Sequence, residues 1–120
     1  MRIVANVLVA IVALLHVVFL VMEMFFWTSP LVVERFGMTR AFAESTVVLA
    51  ANQGLYNGFL AAGLAWGLLS RDNAVAIKVF FLGCVIVAGL FGAATAKTSI
   101  LFVQALPAAL ALLAVLAARR

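Results

Sequence analysis

Four long apolar segments dominate the 120-residue chain and restrict what it can fold into. Each approaches or exceeds the roughly 20 residues that a helix needs to cross a hydrocarbon core about 30 Å thick. Only helices and closed barrels satisfy their backbone groups in lipid, and these segments lack the alternating pattern of barrel strands. The sequence therefore predicts an all-α protein, an antiparallel bundle of four membrane-spanning helices at about residues 3–27, 46–69, 74–95 and 99–117.

The composition also indicates that lipid is the solvent of this chain. Hydrophobic residues make up 68% of it and charged residues 10%, against roughly half and a quarter in soluble domains. A chain this short could not bury so much apolar side chain in water, because its surface is large relative to its volume. We expect one integral membrane domain over residues 1–120, with the lipid bilayer as its main partner.

The connections between the segments differ in length. The links "SRDN" at 70–73 and "KTS" at 97–99 are so short that the last three helices should be antiparallel neighbours. Asp72 is a candidate cap for the third helix. The first connection, 28–45, mixes apolar residues with acids and arginines, which predicts an interfacial helix broken at Gly37 that could cover a site beneath it.

The basic residues indicate how the chain is oriented. The net charge is +4, and the cations lie near the ends of the apolar segments. An excess of Lys and Arg marks cytoplasmic loops, which predicts cytoplasmic termini in a bacterial inner membrane. No basic cluster interleaved with aromatic residues indicates nucleic-acid binding. The predicted cytoplasmic side carries Arg2, Arg71, Lys78, Arg119 and Arg120, and the other side carries Arg35, Arg40 and Lys97.

The sequence gives no reason to expect a metal or a cofactor. The single cysteine, Cys84, lies in an apolar segment with no metal-ligand spacing around it. His16 and Glu23 are about two helical turns apart, which is too far for two ligands of one coordination sphere.

The second apolar segment contains a group of polar residues. Asn52, Gln53, Tyr56 and Asn57 cover an arc of about 140° on a helix. Gly54 and Gly58 form a pair of small residues that would let another helix approach on the other side. A lipid-facing amide loses hydrogen bonds at a cost of several kcal/mol. We therefore predict that the polar arc faces the protein interior or a wet cavity.

The first segment supplies partners for that arc. Glu23 is the only acid inside a predicted helix, and intramembrane acids are candidates for function. Trp27 and His16 lie on the same stripe of this helix. If Trp27 and Val47 share the outer boundary, Glu23 lies level with residues 51–53 and His16 with Asn57 and Gly58. Gln104, in the fourth segment, could join the layer around Glu23.

Three stretches carry a resemblance to a known family: "ALLHVVFLVMEMFFWTSP", "FGMTRAFAE" and "LAANQGLYNGFLAAGLAWGL". They resemble the bacterial integral-membrane family called domain of unknown function 1304, and the match covers essentially the whole chain. The resemblance implies a four-helix inner-membrane protein with no established activity. It implies that the family pattern includes His16, Glu23, Trp27, Asn52, Gln53, Tyr56 and Asn57.

The architecture is also similar to the small multidrug resistance transporters, which have four short helices and one acid in the first. That resemblance implies a dimer in which the acid exchanges protons for cationic drugs. The present chain departs from it through His16, the amide-rich second helix, the longer first loop and the off-centre position of Glu23.

Three functions remain open at this point, and the sequence does not decide whether the chain is an enzyme. The first is binding or proton-linked carriage of a small amphiphilic or lipid-like molecule, with Glu23 as its charge or proton partner. The second is a membrane enzyme of the isomerase or cyclase type, in which Glu23 or His16 acts as acid or base. The third is a structural subunit, and small residues would also allow a homo-oligomer. The predicted ligand-binding residues are His16, Glu23, Trp27, Asn52, Gln53, Tyr56, Asn57 and Gln104.

Overall fold

The computed structural model describes residues 1–119, and within them all regular structure is helical. The all-α prediction is therefore confirmed. A π-helical turn, Leu101–Ala105, precedes the last helix. The six α-helices are α1 (Arg2–Phe25), α2 (Pro30–Arg35), α3 (Arg40–Ser45), α4 (Val47–Leu69), α5 (Ala74–Thr95) and α6 (Leu106–Ala118).

Three helical stretches among the described residues are long and apolar enough to cross a membrane. They are Arg2–Phe25, Ala74–Thr95 and the continuous stretch Leu101–Ala118. The chain therefore has the character of a multi-pass membrane protein. Helix α4 is 23 residues long, but the amides at positions 52, 53 and 57 make it less apolar. A fourth crossing by α4 stays a prediction.

The segment between α1 and α4 forms two short helices. Ser29 begins α2 by accepting a hydrogen bond from the Val32 backbone N–H at 3.4 Å, with Pro30 at the first helical position. Thr39 caps α3 in the same way through the Phe42 N–H at 3.1 Å. Gly37 has φ of +64°, a left-handed conformation that glycine adopts without strain. The predicted break at Gly37 is thus the corner between α2 and α3.

The two later connections differ from the prediction in detail. The cap position before α5 is occupied by Asn73, whose side chain makes no capping hydrogen bond, so the prediction that Asp72 caps this helix is wrong. Before α6, the Leu106 N–H donates to the Leu101 carbonyl five residues back. Pro107 has no N–H and its ring crowds the carbonyl of Val103, so an ordinary α-helical turn is disfavoured there.

The contacts divide the chain into two compact units. We call the first the alanine-rich unit; it contains Met1–Leu14 and the chain from Leu60 onward. We call the second the glutamate unit; it is Leu15–Phe59, and it holds the end of α1, both short helices and the first half of α4. One apolar cluster fills the alanine-rich unit, drawn from four helices: Ala5, Val9, Val12, Leu64, Leu82, Val85, Ala108, Ala111, Ala114 and Val115.

Candidate functional site: a carboxyl–amide pair

A hydrogen bond between two helices forms the centre of the glutamate unit. The side-chain amide of Asn57 donates to Oε1 of Glu23 across 2.5 Å. Asn57 is 5% exposed, whereas Glu23 is only half-buried. The acid lies in the last turn of α1, and its partner lies in the middle of α4. Glu23 therefore has a fixed amide partner and still keeps part of its surface accessible.

Close approach of the two helices brings this pair together. A Cβ atom added at Gly54 would lie 2.6 Å from Cγ of Met24, 3.1 Å from Cβ of Glu23 and 3.2 Å from the carbonyl oxygen of Leu20. One turn later, a Cβ at Gly58 would lie 2.7 Å from Cδ1 of Leu20. Gly54 lets α4 come this near to the backbone of α1 and so sets the distance at which Asn57 reaches Glu23, whereas at Gly58 the neighbour is the movable end of the Leu20 side chain.

The predicted alignment of these helices is wrong by about one turn. Glu23 packs beside Gly54 and bonds to Asn57, rather than lying level with residues 51–53. The alignment assumed that Trp27 continues the first helix, but α1 ends at Phe25. Beyond that point the chain turns, so Trp27 does not mark the axial position that an uninterrupted helix would give it.

The polar arc of α4 is turned differently from the prediction. Asn57 is buried on the same side as Gly54, whereas Asn52, Gln53 and Tyr56 are exposed. The glycine stripe, expected on the opposite side, is the stripe that meets α1, because glycine removes the side-chain bulk that would hold α1 away. The structure thus brings one of the four arc residues to Glu23 and leaves the other three on the outer surface of α4.

His16 lies inside the glutamate unit without exposed surface. Its ring packs edge-on against the ring of Phe19, with centroids 5.3 Å apart. The predicted layer of His16 with Asn57 stays a prediction, and the Asn57 amide donates to Glu23. The imidazole is therefore enclosed, unlike the carboxyl of Glu23.

Trp27 stabilises the segment that joins α1 to α4 through a hydrogen bond and a ring contact. Its indole N–H donates to Oγ1 of Thr46 at 2.9 Å, and its ring contacts that of Phe36 with centroids 5.5 Å apart. The Thr46 hydroxyl in turn donates to the carbonyl of Phe42 at 2.8 Å. The sequence analysis missed Thr46, because nothing in a spacing of 19 residues signals such a contact.

Gln104 belongs to the alanine-rich unit, where it lies half-buried in the π-helical turn. Its predicted place in a layer with Glu23 stays a prediction. Cys84 is a half-buried free thiol. Among residues 1–119, no group of three or more His, Cys, Asp or Glu side chains is arranged to hold a metal ion.

A second polar pair, in the alanine-rich unit, was also missed. The ammonium of Lys78 donates to Oδ1 of Asn6 at 2.7 Å, and Lys78 is only 8% exposed. A signal was available: Asn6 and Lys78 each lie about one turn inside a predicted helix, on the same predicted side of the membrane.

These features define a helical protein of membrane-spanning character in which a carboxyl–amide pair joins two helices. The chain belongs to the family described as Protein of unknown function (DUF1304), whose family model matches residues 10–116. The matched region contains both Glu23 and Asn57, and it confirms the resemblance drawn from the sequence. No curated protein and no solved structure matches the chain.

Proposed function

We propose that the chain is a four-span protein of the bacterial inner membrane that binds a small amphiphilic molecule through Glu23. The molecule's polar head group would meet the carboxyl, and its apolar part would lie along the exposed hydrophobic surface. Exchange of a proton for the head group at Glu23 would make the protein a proton-linked carrier.

The observation that carries this proposal is the partly exposed Glu23 side chain within an apolar helix. An acid in such a place is costly and calls for a partner. Asn57 occupies one oxygen, and the side chain remains partly accessible. Gln53, exposed one turn before Asn57 on α4, adds a donor and an acceptor nearby. This combination suits a ligand with a polar head and an apolar body.

The helix end adds a preference for the charge of that head group. Glu23 lies in the last turn of α1, which ends at Phe25. The last carbonyl groups of a helix lack partners within the helix and carry partial negative charge. The carboxyl and the helix end therefore favour a cationic or hydrogen-bond-donating head group over an anionic one.

The arrangement of the spans follows from the same reasoning. The exposed amides of α4 lie within a turn of Gly54, which packs against the last turn of α1, so they are near one membrane boundary where exposure costs less. With α4 as the fourth crossing, both termini share one side. The distribution of Lys and Arg favours the cytoplasm for that side.

One observation favours a different role as a structural subunit. Asn57 already gives Glu23 a hydrogen-bond partner, so the pair alone could serve to hold α1 against α4. An enzyme would use Glu23 or His16 as its acid or base, and of the two only Glu23 keeps exposed surface. Binding and structural roles therefore differ in whether anything occupies the accessible side of Glu23.

The test is purification in a mild detergent followed by mass spectrometry of the small molecules that stay bound. We expect the wild type to retain an amphiphile, and Glu23→Gln, which preserves shape and a polar end but not the charge, to retain at least tenfold less. Glu34→Gln is the matched control, because Glu34 is exposed on α2. Equal retention by all three proteins, or retention by none, would favour the structural role.

Carriage is tested separately from binding. The identified amphiphile is added to vesicles that contain the protein and a pH-sensitive dye. Ligand-driven proton movement that Glu23→Gln abolishes and Glu34→Gln preserves is expected of a carrier. Binding without proton movement would reduce the proposal to a binding protein.

A further inference from the structure

A polar cavity of about 500 Å³ lies within the alanine-rich unit. Its wall is formed where helices begin and end: the start of α1, the ends of α4 and α6, the turn at 70–73 and the start of α5. This volume falls within the range of about 300–1,000 Å³ that small-molecule sites occupy. The cavity involves neither Glu23 nor Asn57, so it is separate from the proposed amphiphile site.

Positive charge dominates the wall of this cavity. Asp72 is its one acidic residue. The ion pair that forms among residues 1–119 is Arg40–Glu44, which lies elsewhere, so Asp72 offsets its cationic neighbours without forming an ion pair with them. The cationic side chains of the wall are Arg2, Arg71, Lys78 and Arg119.

Lys78 is held at the wall as a fixed cation. It is 8% exposed, and its ammonium donates one hydrogen bond, to Asn6 at 2.7 Å. An ammonium has three N–H donors, and Asn6 accepts only through its oxygen. A neutral amide positions the ammonium and leaves its charge uncompensated. The cavity thus combines a positioned buried cation with three exposed arginines.

The backbone at the start of α5 adds to the positive charge of the cavity wall. Ala74, Val75 and Ala76 line the cavity, and the side chain of Asn73 makes no capping hydrogen bond to them. The first N–H groups of a helix carry partial positive charge and accept anionic partners. Beside four cationic side chains, these groups strengthen the preference for an anion.

We propose that this cavity binds a phosphate-bearing ligand. Phosphate esters combine negative charge with several acceptor oxygens, which match guanidinium, ammonium and backbone N–H donors. The phosphate could belong to the head group of an anionic lipid or to a soluble phosphate compound. Basic pockets at helix ends facing a membrane surface are suited to lipid head groups, so we expect the lipid.

The test uses the full chain in a zwitterionic detergent. Native mass spectrometry measures binding of added phosphatidylglycerol, with phosphatidylcholine as the lipid of no net charge. Phosphorus NMR titrations with inorganic phosphate and glycerol 3-phosphate measure binding of soluble phosphate compounds. The variant Arg71→Gln/Arg119→Gln removes two cations from the cavity wall, and Arg35→Gln/Lys97→Gln removes two exposed cations outside it.

We expect the wild type and the control variant to bind phosphatidylglycerol at least tenfold more tightly than phosphatidylcholine. The cavity variant should lose that preference while keeping its helical circular dichroism. Binding of the soluble compounds with the same dependence on Arg71 and Arg119 would support the site and assign it to a soluble ligand. Absence of any phosphate binding, or equal losses in both double variants, would overturn the proposal.

Discussion

The two compact units each hold one ionisable group, of opposite sign, in a hydrogen bond between helices, and each group has the same kind of partner. In the glutamate unit the partner is Asn57 for Glu23, and in the alanine-rich unit it is Asn6 for Lys78. Asparagine can serve both because its side chain has a donor and an acceptor. Neither charge is cancelled by an ion pair, since the pair among residues 1–119 is Arg40–Glu44.

The units differ in the sign of charge that their helix ends add. Glu23 lies in the last turn of α1, where the helix end is partially negative. Arg71 precedes α5, and Lys78 follows its first turn, where the helix end is partially positive. At each of these two sites the helix end therefore adds partial charge of the same sign as the side chain. An amide partner fixes a charged group in position without cancelling it, which leaves the charge available for a ligand.

The largest expected effect comes from removing the amides. Asn57→Leu and Asn6→Leu keep side-chain volume but remove the hydrogen bond to Glu23 or to Lys78, and each should lower the free energy of unfolding by about 1.5–3 kcal/mol. Equilibrium unfolding in mixed micelles measures this. Asn52→Leu is the control, because Asn52 is exposed. A loss near 0.6 kcal/mol is the average for hydrogen bonds between membrane helices. A loss that small would contradict the inference that the amide of that unit holds the ionisable group in place.

The next effect tests the helix contact on which the Glu23 pair depends. Gly54→Ala places a methyl group 3.2 Å from the Leu20 carbonyl oxygen and against Met24, and it should cost about 1–3 kcal/mol by overpacking. Gly83→Ala is the matched control, because a Cβ there meets nothing within 4 Å. That control should be neutral or stabilising by up to about 1 kcal/mol through helix propensity. Equal effects of the two changes in the same unfolding assay would mean that α1 and α4 do not approach closely.

The smallest effect concerns the indole of Trp27. Thr46→Val preserves shape but removes the acceptor, and it should cost about 1 kcal/mol. The emission of the indole in the α1–α4 connection should also change, measured in a Trp66→Phe background to isolate it. Ser45→Val is the neighbouring control, because the Ser45 hydroxyl bonds only to the carbonyl of Phe42 in its own helix. Emission that changes equally in both variants would contradict the contact.

Much of the helical architecture could be predicted from apolar runs and turn residues. The third predicted helix has the observed bounds of α5, and the second differs from α4 by one residue. The run of apolar residues through Phe26 and Trp27 hid the end of α1, because both residues suit a helix. Ser29 caps α2, so α1 has to end before this residue, and it ends at Phe25, which is earlier than hydropathy indicated.

The site was harder to predict because periodicity gives angles within a helix and not which stripe faces a neighbour. Helix α4 has a polar arc and a glycine stripe, and each had a physical reason to face α1. Asn57 lies close to the glycine stripe, so it alone among the four arc residues was buried with it. The Lys78–Asn6 pair joins residues 72 positions apart. The sequence placed both at a similar depth on one predicted side of the membrane, but periodicity does not say that their two helices face each other.

The π-helical turn at Leu101–Ala105 affects how this protein can change over evolution. Such a turn holds one residue more than an α-helical turn between the same flanking faces. A deletion of one residue within it, together with replacement of Pro107, would restore ordinary i to i−4 bonding while the residues on either side kept their neighbours. The last helix thus contains a position where the chain can vary in length without rotating the alanines of α6 out of their contacts.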